Sequence, residues 1–86
     1  MTKAESGEPN SPQTLTEAGE VLWRMRPDEQ EPLVEWATYY QRSVVIYDRI
    51  AETDQDHHHE ALYLAGQARQ RVEEIQTRIR GTREHH

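Results

Sequence analysis

Apolar residues along this chain fall into three runs at helical spacing, separated by short polar stretches. In the first, Leu15, Ala18, Val21, Leu22 and Met25 recur every three or four residues, the interval that returns to one face of a helix. In the second, Leu33, Ala37, Tyr40, Val44, Tyr47 and Ala51 step by 4, 3, 4, 3 and 4, and Trp36, Ser43 and Ile50 widen the stripe. The third sets Ala61, Ala65, Ala68, Val72, Ile75 and Ile79 in the same rhythm, with Leu62 and Leu64 beside them. Val34, Val45 and Ile46 lie off the second stripe, so that helix is expected to have another covered surface, under the first helix or under another chain.

Local signals set the boundaries. Thr14 followed three residues later by Glu17 has the pattern of a capping box. Pro27 ends the first helix, because the residue before a proline is pushed out of the α region. Gly19 weakens that helix by up to about 1 kcal/mol relative to alanine. Pro32 suits the first position of the second helix, where its missing N–H had no partner to lose. Thr53 to Asp56 form a turn, and Gly81 is a natural stop for the third helix.

The expected fold is therefore all-α. A long antiparallel hairpin, about 32–53 and 56–80, dominates a three-helix arrangement with a shorter N-terminal helix at about 15–26. A disordered tail is expected over residues 1–13, one helical domain over 14–80, and a flexible tail over 81–86.

Composition narrows the function classes. The chain has 86 residues, 34% of them apolar and 30% charged, so a single lean core is all it can build. A core that lean favours a homodimer, in which a second copy supplies more apolar surface. The net charge of −6 argues against a nucleic-acid grip over the whole surface. Arg69, Arg71, Arg78, Arg80 and Arg83 are interleaved with Glu73, Glu74 and Glu84, as on a solvated helix face. No cysteine is present, which removes disulfides, thiol nucleophiles and cysteine zinc sites. No run of about 18 apolar residues exists to span a membrane, and a cytoplasmic protein is the simplest expectation.

The stretch DQDHHHE, residues 54–60, is the one cluster with metal-ligating side chains. His57, His58 and Glu60, with Asp54, are the candidate ligands, since divalent metals accept imidazole and carboxylate. Adjacent histidines on a helix point about 100° apart, so one chain cannot aim all three at one ion. The competing reading is structural and is favoured: Asp54 or Asp56 caps a helix, and the histidines decorate its start. On that reading no cofactor is needed.

Among the aromatics, Trp36, Tyr40 and Tyr47 fit the core. Trp23, Tyr39 and Tyr63 lie outside the best stripes and are the candidate partner-binding residues, since exposed aromatics anchor interfaces. Ser43 has no Asp/His companion at a predictable distance, and no Gly-rich phosphate loop occurs, so an enzyme is not expected.

The Met25-Arg26-Pro27 turn, Trp36, the tyrosines 39, 40 and 47, and the His57–Ala61 step resemble landmarks of a group of small uncharacterised actinobacterial helical proteins. The likeness covers about residues 14–75 and implies an intracellular, actinobacterial origin and a regulatory role, with no established activity attached. The second and third helices also look like a single tetratricopeptide-type hairpin, but one copy lacks the neighbours a solenoid needs. The functional expectation is a non-enzymatic protein–protein interaction module, homodimeric, acting through an aromatic-bearing helical surface. The alternative is a metal-binding helical protein using the His57–Glu60 cluster at a helix end or dimer seam.

Overall fold

The structure, a computed structural model, describes residues 12–84; the expected tail over residues 1–11 and the last two histidines lie outside the described residues. The fold is all-α. Helices α1 (Leu15–Met25), α2 (Leu33–Thr53) and α3 (His58–Glu84) follow one another, with a single 3-10 turn at Gln55–His57, and no strand occurs among the described residues. None of these helices is long and apolar enough to cross a membrane.

The short connection after α2 forces α2 and α3 into an antiparallel hairpin, and α1 lies along α2. Fully buried Ala18, Ile50 and Ala61, with Ala51, form the core cluster, and Leu15, Ile46 and Tyr47 pack against its edge. Alanine on all three helices lets the backbones approach closely there. The larger stripe residues sit to the flanks: Trp36, Tyr40, Val44 and Tyr47, expected in the core, are half-buried, and of the three aromatics Tyr47 packs against the core cluster. Successive i, i+3 and i+4 positions on α2 form two apolar faces roughly a quarter-turn apart. One faces α3, and the other, through Ile46 and Ile50, faces α1. Val34 and Val45 remain more than half exposed, so α1 covers only part of the off-stripe surface.

Several boundaries follow from local chemistry. Arg26, before Pro27, is extended (φ −64°, ψ 129°) and closes α1. Pro32 is the N-cap of α2 (φ −63°, ψ 158°) and not its first helical residue. The expected stop at Gly81 is absent. Gly81 does not adopt the positive φ that a C-terminal glycine cap requires, so α3 runs on to Glu84 and residues 81–84 are helix, not tail.

Candidate functional site

Two places concentrate polar or aromatic side chains: the bend between α2 and α3, and a cleft between α1 and α3.

At the bend, the helix start of α1 is closed in two ways. Thr14 Oγ1 accepts a hydrogen bond from the Glu17 amide at 3.1 Å, as its sequence position predicts. Glu17 Oε1 reaches back to the Gln13 amide at 2.8 Å, one residue earlier than a standard capping box. The second closure is tertiary. Asp54 Oδ2 accepts from the Leu15 amide at 3.0 Å, across 39 positions in sequence. One of the free N–H groups at the start of α1 is thus satisfied by the end of α2. Thr53 Oγ1 lies 3.3 Å from both the Gln13 and Arg49 carbonyls and adds a second tie to the approach of α1.

The histidines serve this same bend. His57 Nδ1 is 3.0 Å from Asp54 Oδ2, and His58 Nδ1 is 2.7 Å from the Ala51 carbonyl, so each ring donates through Nδ1. His58 thereby satisfies a carbonyl of the last turn of α2. The Leu15 amide, and then His57, hold the Asp54 carboxyl below the usual carboxylate range against an opposing effect of desolvation. Of the two expected caps, Asp54 or Asp56, Asp54 takes the N-cap position of the 3-10 turn, but with its backbone carbonyl accepting from the His57 amide at 3.0 Å, while its carboxylate caps α1.

This arrangement also answers the metal question within one chain. With Nδ1 of each ring turned to an acceptor, Nε2 is the atom left for any other partner. Yet the rings hang on different partners, Glu60 is exposed, and no group of three metal-ligating side chains comes together among the described residues. His57, His58 and Glu60 do not converge.

The second place lies at the other end of α1. The Arg26 guanidinium sits 5.7 Å from the ring centre of Trp23 and 5.4 Å from that of Trp36, joining α1 to α2 by two cation–π contacts. Trp36 continues into Tyr39 and Tyr40, with ring centres 5.9 and 6.0 Å away, and those two tyrosines are 5.2 Å apart. From this cluster a cleft of 240 Å³ runs between Leu22 of α1 and Leu64, Ala68 and Arg71 of α3, over Tyr40, Ser43 and Tyr47 of α2. It exists because α1 and α3 pack on adjacent faces of α2.

The three candidate partner-binding residues therefore separate. Trp23 is 70% exposed and stands at the Arg26 end of the cleft. Tyr39 is half-buried within the ring cluster, and burial, then the neighbouring Tyr47 and Tyr40, raise its hydroxyl pKa while Arg26 opposes them. Tyr63 lies on α3, its hydroxyl accepting from Gln67 Nε2 at 2.9 Å, and Gln67 is on the wall of the cleft. Sequence reasoning missed Arg26 as the link between indoles and Arg71 as a cleft residue. A signal was available: Trp36, Tyr40, Ser43 and Tyr47 recur at helical spacing between the two apolar faces of α2.

Compared with known proteins, the chain matches no family model, no curated protein and no solved structure.

Proposed function

We propose that this protein is a non-enzymatic interaction module that binds a protein partner in a regulatory role through the aromatic edge of α1 and α2, and that it self-associates. The observation carrying the reading is Trp23, 70% exposed yet held beside Trp36 by Arg26. Exposing an indole to water is unfavourable unless something covers it, and Trp and Arg are the side chains most enriched at interface hot spots. Ser43 supports the non-enzymatic part: it is buried, and its hydroxyl donates to the Tyr39 carbonyl at 3.0 Å, as a helix back-bond and not as an activated nucleophile. Self-association is supported by Val34 and Val45, which α1 leaves uncovered on the other side of α2.

A photo-crosslinking residue placed at position 23 in the native host tests the partner. A discrete adduct from position 23, absent when the label sits at the exposed Thr77 on α3, is the expected result. Equal labelling from both positions, or no adduct, overturns the reading. Sedimentation velocity tests the second copy separately: Val45→Asp should shift the protein towards monomer, whereas a monomeric parent chain at high micromolar concentration removes that part.

A further inference from the structure

We propose that the cleft between α1 and α3 is a binding site for a small aromatic carboxylate, its ring between Leu22 and Leu64 and its acid group facing Arg71. This goes beyond the protein-partner reading and, of that reading's candidate residues Trp23, Tyr39 and Tyr63, shares only Tyr39 of the aromatic cluster.

Size comes first. An apolar cavity of about 150 Å³ accommodates benzene. The cleft's 240 Å³ therefore has room for one ring with a short acid chain. Leu22 and Leu64 wall it from opposite helices, and the rings of Tyr40 and Tyr47 supply a floor on which a planar group can stack.

Polarity decides the class. Arg71 is the one charged side chain in the lining, in a chain whose net charge is −6. It pairs with Glu74 Oε1 at 3.7 Å, and both side chains are more than half exposed. A pair that loose and that solvated contributes little and leaves guanidinium donors for another anion. Tyr39, Tyr40 and Tyr47 line the cleft, and their hydroxyls have no hydrogen-bond partner among the described residues. Both phenols are protonated at neutral pH even at the ordinary value of 10.0, and burial moves Tyr39 and Tyr47 further in that direction. The Ser43 hydroxyl spends its proton on the Tyr39 carbonyl and Gln67 spends Nε2 on Tyr63, so the donors left in the lining are the tyrosine hydroxyls and Arg71. A cleft with leucine walls, tyrosine rings and hydroxyls, and one cation suits an anion carrying a ring.

Such a ligand touches α1 and α3 at once, so its binding holds α1 against the hairpin. The probe is phenylacetate, with benzyl alcohol as its uncharged analogue and acetate as its ringless one, titrated into the isotopically labelled full chain. Saturable NMR shifts at the Leu22 and Leu64 methyls and at Arg71 Nε are expected with phenylacetate in the millimolar range. Affinity should fall about tenfold with benzyl alcohol and in Arg71→Gln, a change at an exposed position that leaves folding intact. Leu64→Trp should fill the slot and remove the shifts at the Leu22 methyls and Arg71 Nε. Acetate should leave the methyls unmoved. The proposal fails if the folded chain shows no saturable shift, or if benzyl alcohol binds as tightly as phenylacetate and Arg71→Gln changes nothing. It fails too if raising protein concentration alone gives the same shifts, because the slot is then filled by a second copy.

Discussion

At the bend, the first turn of α1 rests on Ile50, Ala51 and Ala61, and its Leu15 amide is closed by Asp54. Two turns further along, the same helix meets α2 through Arg26 and two indoles, beside an open cleft. Small side chains allow close backbone approach, and a directional hydrogen bond fixes the position. At the other end the contacts with Arg26 are between a guanidinium and ring faces, which are less directional than a hydrogen bond. One helix is thus anchored firmly at its start and softly at its finish, and the soft finish is where binding surface is exposed.

The sharpest way to break this contrast is Ile50→Ala. Ile50 is fully buried at the junction of all three helices, so its truncation should cost about 2–5 kcal/mol. Urea denaturation followed by circular dichroism measures it, and a loss below about 1 kcal/mol would deny that the bend end is densely packed. Asp54→Ala should have a smaller and more local effect. Hydrogen exchange should quicken at the first amides of α1, while α2 and α3 keep their protection. Uniform loss across the three helices would show that Asp54 does not act on α1 in particular.

Acid offers the reversible version of that mutation. The folded state holds the Asp54 carboxyl below its unfolded value. Its stabilisation is therefore complete above the ordinary carboxylate pKa of about 3.9 and disappears as pH falls through the depressed folded value. Exchange at the start of α1 should accelerate below about pH 4, and Asp54→Asn should abolish that step while other carboxylates titrate as before. The smallest expected effect on stability is that of Trp23→Ala, within about 0.5 kcal/mol, since most of the indole already faces solvent. A loss comparable to that of Ile50→Ala would make Trp23 a core residue and remove its availability to a partner.

Much of the fold was legible because it depends on neighbours in sequence. The three apolar stripes, the Thr14 cap and the stop before Pro27 are all written within four or five residues of where they act. Asp54 is different. Its use as a cap for α1 depends on where α1 lies after folding, and no local pattern encodes a bond across 39 positions. Gly81 misled for a related reason: glycine permits a left-handed cap but does not impose one. The aromatic candidates were named individually, yet their grouping was not visible, because the cleft is set by the angle between α1 and α3 around α2. The histidine run drew attention by composition, and only coordinates could reveal that its two engaged rings serve Asp54 and the Ala51 carbonyl.

The tertiary cap at Leu15 makes α1 a lever pivoted near Asp54. Trp23 lies eight residues from that pivot, about 12 Å along the axis, so a tilt of roughly 10° would swing the indole by about 2 Å. Events too small to register at the pivot are therefore magnified at the tip, where an intrinsic fluorophore stands ready to report them.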